Sequence, residues 1–91
     1  MRSKHRKQID DETVANIMKQ FHNRLEMVLK KRGYGGFASR HEILGILDEE
    51  KLEFTEAVHS EGIGRVKSEL LDIAVADIWG AASIDAETVD W

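Results

Sequence analysis

The chain contains no cysteine and no proline, and aromatic residues make up 7% of it. Without cysteine there is no disulfide framework and no thiolate zinc or redox site, and an intracellular, cytoplasmic setting is the expectation. Without proline nothing breaks a helix except glycine, which is left as the punctuation. Long apolar runs are missing too. No hydrophobic stretch follows the basic start MRSKHRKQIDD, and the later run from Ile73 to Ala82 is broken by Asp77. Neither a secretory leader nor a membrane span is therefore expected, and the protein should be soluble. At 91 residues the chain can form one domain at most. So short a chain buries only a modest share of its surface by itself, and a partner subunit would help.

What is present is charge, unevenly placed. Residues 1–40 carry ten Lys/Arg against four Asp/Glu, and residues 41–91 carry three against thirteen. The densest basic cluster, Arg2, Lys4, Arg6 and Lys7, lies in a stretch without periodicity. A nucleic-acid binder carries its basic footprint on an ordered face, so nucleic acid is not the expected partner. Salt-sensitive binding through this arm is kept as a lesser possibility.

Apolar periodicity predicts an all-α chain with three main helices, at about 11–32, 39–60 and 65–82, forming an antiparallel bundle. In the first, Val14, Ile17, Met18, Phe21, Leu25, Val28 and Leu29 make one apolar stripe, and Gly33 can take the left-handed conformation that ends it. The second opens with Ser39 as a cap and Glu42 three residues on, a capping box. The third is apolar on nearly all sides from Leu70 onward, as a buried helix would be. Residues 1–10 read as a flexible basic arm, 11–82 as the helical domain, and 83–91 as a tail or short terminal helix.

At about 100° per residue, Ile43, Ile46, Leu47, Phe54, Ala57 and Val58 form the apolar arc of the second helix. Glu50 falls inside that arc and Glu53 at its edge, whereas Asp48, Lys51 and Thr55 point away. On the third helix Glu69 lies beside Val66, Ile73 and Ala76, with Asp72 on the flank. Residues three apart share a helix side, so two such pairs on neighbouring helices converge. Four carboxylates ~6 Å apart at an effective dielectric near 20 repel by roughly 3 kcal/mol per pair, or on the order of 15–20 kcal/mol together. That exceeds a typical domain's whole stability. Protonation relieves part of it. An all-oxygen set of this kind also suits a hard divalent cation, magnesium or manganese, that bridges to phosphate. For any one ExxE or ExxD, a solvated helix face is the plainer reading.

The stretch HEILGILDEEKLEFTEAVHS followed by SELLDIAVADIWGAAS resembles the MazG-like branch of the all-α nucleoside triphosphate pyrophosphohydrolases, whose signature is EExxE, a spacer, then ExxD. Here Glu49, Glu50 and Glu53 supply the first part and Glu69 and Asp72 the second, over roughly residues 39–82. The resemblance implies that Glu50, Glu53, Glu69 and Asp72 hold magnesium, and that Glu49 assists in the outer sphere or orients water, with Glu50 beside it. It implies cleavage of a nucleoside or deoxynucleoside triphosphate between the α- and β-phosphates, giving a monophosphate and pyrophosphate. It also implies a homodimer or dimer-based tetramer. One departure stands out: nothing basic follows Asp72. Lys30, Lys31, Arg32 and Arg40, around the Gly33–Phe37 loop, are the candidates for binding phosphate, although the first three also suit a helix C-terminus. That departure motivates an alternative, a non-catalytic helical nucleotide-binding or assembly module.

Other residues carry less. Glu56 and His59 spell a single ExxH, which a di-iron bundle needs twice and pointing inward. His41 and His22 read as exposed or half-exposed, and Trp79 and Phe54 as core or interface. Asp77 is expected to be buried and in need of a partner. The glycines at 33, 35 and 36 lack a phosphate-loop lysine and read as a turn.

Overall fold

A computed structural model describes residues 6–60 and 62–90. Among them are three helices and no strands: α1, Asp11–Lys31; α2, Arg40–Ser60; and α3, Ile63–Asp85. The all-α expectation holds, with α3 starting two residues earlier and ending three later than its pattern predicted. Residues 1–5 of the basic arm lie outside the described residues.

The helix ends follow their local chemistry. Asp10 caps α1 by accepting the Thr13 N–H at 2.8 Å, and that bond holds its carboxyl below the ordinary range. Past the other end, Gly33 has φ of +64°, its N–H donates to the Lys30 carbonyl and that of Tyr34 to the Leu29 carbonyl. This is the Schellman arrangement that glycine favours. At the start of α2 the Glu42 N–H donates to Ser39 Oγ at 3.1 Å. Glu42 Oε1 in turn accepts the Ala38 N–H at 2.7 Å, one residue further back than the capping box predicts.

The spine is α3. α2 packs along it antiparallel, with Ile43 near Gly80 at one end and Glu50 near Glu69 further along. α1 also packs on α3 but not on α2, and runs in the same direction as α3: Arg24 meets Ser68 and Asp72, and Arg32 meets Trp79. The buried apolar residues, Phe37, Ala57, Leu71, Val75, Ala76 and Val89, lie on α2, α3 and the two loops beside them, while α1 buries none. Val58, assigned to the apolar arc of α2, is exposed because it lies beyond the line of contact with α3.

Residues 86–90 return across the loop between α1 and α2. Thr88 Oγ1 donates to the Phe37 carbonyl, and the Asp90 N–H donates to the Ala38 carbonyl at 2.8 Å. The C-terminal segment is therefore a strap over the loop rather than a separate element. Among the described residues no helix is long and apolar enough to cross a membrane.

Candidate metal centre and its cleft

Because α1 and α2 both lean on α3 rather than on each other, a cleft of about 510 Å³ opens between them. Val75, Ala76 and Trp79 of α3 line it, with Val28 and Arg32 on one side and Ile46, Glu49 and Glu50 on the other. The Gly35–Phe37 loop closes one end and Asp72 lies in the wall. Phe37 stacks on Trp79 with centroids 4.6 Å apart, Arg32 lies over the indole at 5.5 Å, and Trp79 Nε1 donates to the Gly35 carbonyl. Trp79 is thus a wall of the cleft.

At the acidic end, Glu50, Glu69 and Asp72 bring one carboxylate oxygen each within 4.8 Å of one another. Three of the four expected ligands therefore converge. Glu53, one turn along α2 from Glu50, is not part of this group. Burial first, and then the nearby Glu69 charge, raises the Glu53 carboxyl above the usual range. Glu49 is exposed at the rim of the cleft. For Glu50, burial first and then the charges of Glu53, Asp72, Glu69 and Glu49 push the carboxyl up to about 7.

The chain supplies part of the compensation itself. Arg24 Nη1 donates to Asp72 Oδ1 at 2.9 Å and to the Ser68 carbonyl at 2.8 Å. Arg65 Nε donates to Glu69 Oε1 at 2.9 Å, one turn along the same helix. Neither arginine was singled out from the sequence, although Arg65 was legible there. Arg65 precedes Glu69 by four on the same helix, whereas Arg24 stands just outside the apolar stripe of α1 and finds its partners on a helix distant in sequence.

Of the cations proposed from sequence, Arg32 alone lines the cleft. Lys30 is exposed and pairs loosely with Glu26 at 3.6 Å, because the last turn of α1 points it to solvent. Lys31 and Arg40 are also exposed and outside the cleft lining. Asp77, expected to be buried, is exposed as well: it lies in an open groove between α1 and α3.

A divalent cation fits this oxygen set. Glu69 is 4% exposed, and its Oε2 and that of Glu50 are buried without a hydrogen-bond partner among the described residues. Orphaned anionic oxygens of this kind carry a desolvation cost that a cation removes. Opposite ligands of magnesium stand about 4.2 Å apart, so the observed spread needs only a small side-chain adjustment. Compared with known proteins, the chain matches no family model, no curated protein and no solved structure.

Proposed function

We propose that the protein is a magnesium-dependent nucleotide pyrophosphohydrolase, working on a nucleoside or deoxynucleoside triphosphate as a homo-oligomer. The observation that carries this reading is the pair of buried, unsatisfied oxygens of Glu50 and Glu69 at the end of a cleft sized for a small molecule. The EExxE and ExxD resemblance supplies the reaction class.

In this reading Glu50, Glu69 and Asp72 hold the cation, with Glu53 beside them. Magnesium, or manganese, would supply neutralisation of phosphate oxygens and acidification of a bound water. Arg65 and Arg24 hold one oxygen each of Glu69 and Asp72, which fixes how the remaining oxygens are presented. Glu49, exposed at the rim, is free to orient the attacking water and accept its proton as the oxygen bonds to the α-phosphorus and pyrophosphate departs. Arg32, moored over Trp79, is the cation available to a phosphate or base.

The test is pyrophosphate release from a panel of canonical, deoxy and modified nucleotides with magnesium or manganese. Release should occur with at least one nucleotide and drop at least about a hundredfold in Glu50→Gln and Asp72→Asn, given the several kcal/mol a catalytic cation contributes. No release across the panel would overturn the enzyme assignment. The second reading, a helical nucleotide-binding module without turnover, is favoured by Arg32 being the sole predicted cation in the cleft lining. Calorimetry separates the two: magnesium-dependent nucleotide binding without pyrophosphate would select the module.

A further inference from the structure

On the side of α3 away from the acidic cleft, α1 and α3 enclose an apolar groove of about 510 Å³. Leu70, Leu71, Ala74 and Ile78 of α3 line it, with Met18 and Phe21 of α1 among the residues opposite. Large apolar groups stand exposed around it: Met18 is 54% exposed, Leu70 51% and Ile78 46%. α1 buries no residue at all, although its sequence carries a complete apolar stripe. The Cα radius of gyration is 15.6 Å, against about 12 Å for a compact domain of this length. The single copy leaves this apolar face open to solvent.

We propose that this face is the interface between two copies of the chain, related by a two-fold axis that sets the α3 helices antiparallel. Charge selects the occupant. The groove carries one cation, Lys67, and one anion, Asp77, ten residues apart on α3. That is about 15 Å along the helix, too far for the two to pair within one chain. A two-fold axis crossing this face at the level of residue 72 brings Lys67 of each copy to the end that holds Asp77 of the other, so both charges are met twice by one operation. The same axis lays Leu70 and Ile78 of each copy against the other copy's apolar wall.

Area is sufficient. Two helices some 20 Å wide and about 30 Å long offer on the order of 600 Å² per copy, which reaches the lower bound of stable interfaces at about 1,200 Å² in total. The residues used, Leu70, Ala74, Asp77 and Ile78, lie on the opposite side of α3 from Asp72, Val75, Ala76 and Trp79. Assembly therefore leaves both acidic clefts open. The surface does not depend on the cation site, so dimer formation and pyrophosphate release can fail separately.

Sedimentation equilibrium on the full chain tests the proposal. A dimer is expected at micromolar concentration. Lys67→Glu and Asp77→Lys should each raise the dimer Kd by about tenfold or more, through like charges brought face to face. The double swap should return it close to the starting value. Ile78→Glu should give a monomer whose circular dichroism remains helical. A chain that is monomeric throughout would overturn the proposal and leave the face to a different protein. Single swaps without effect, or a double swap that does not recover, would overturn the antiparallel register.

Discussion

Glu50 concentrates the electrostatics of the molecule in one side chain. Its carboxyl, ordinarily near 4.5, is held at about 7 by burial and by four neighbouring carboxylates, so the folded chain keeps a proton that the unfolded chain has lost. Between these two values stability falls as pH rises, because the native state binds more protons there, and above the upper value the cost is fully in place. The raised carboxyl of Glu53 acts with the same sign. A cation bound at the cluster removes that cost, so magnesium should raise the melting temperature clearly more at pH 8 than at pH 5.5. Thermal scans with and without magnesium at both values check this, and an equal shift at each would count against Glu50 as a ligand. Arg24 offers a second test. Its half-exposed pair with Asp72 is worth about 1 kcal/mol, so Arg24→Met should cost about that much in metal-free denaturation and less once magnesium neutralises Asp72. A loss unchanged by magnesium would make Arg24 a packing residue alone.

Among the elements, the two helix ends past α1 and α3 share one device with different residues. After α1 the left-handed turn begins at Gly33 and Tyr34 shares its conformation, while after α3 the position is Glu87, with φ of +60° and the same pair of bonds, Glu87 N–H to the Ile84 carbonyl and Thr88 N–H to that of Ser83. A side chain in that conformation costs about 1–2 kcal/mol, and glycine returns part of it through its larger unfolded-state entropy. Glu87→Gly should therefore stabilise the fold by roughly 0.5–1 kcal/mol in urea titration. Gly36→Ala should act in the opposite sense. A Cβ there would collide with the Thr88 side chain, and displacing Thr88 from the Phe37 carbonyl would cost about 1–3 kcal/mol. The helices and the facing of Glu50 and Glu69 were readable from sequence because both depend on local period. Gly33 was readable because glycine advertises its conformation, and Glu87 was not, since nothing about glutamate signals a left-handed turn. Arg24 went unread for another reason: its partners Ser68 and Asp72 lie more than forty residues away. The exposure of Asp77 depends on what covers α3, which no helical plot contains.

At the scale of the whole molecule the three helices are unequally secured. α2 and α3 share the buried core with Phe37 and Val89, whereas α1 rests on α3 through part-exposed side chains, the Arg24 bonds and the Arg32–Trp79 contact. Segments with little buried apolar surface open at a lower free-energy cost than the core does. Backbone amides in the first half of α1 should thus exchange with solvent fastest among the helices, and those around Leu71–Ala76 slowest. A second copy seated over Met18, Phe21 and Leu70 would change this ordering in a way a lone chain cannot. Protection in Val14–Phe21 should rise with protein concentration, because opening α1 then also breaks the interface. Hydrogen exchange followed by mass spectrometry at two concentrations reads both effects. If α1 exchanges at the same rate at both, while sedimentation shows a dimer, the copies meet through another surface. If α1 proves as protected as α3 even when dilute, its docking is stronger than its exposed stripe implies.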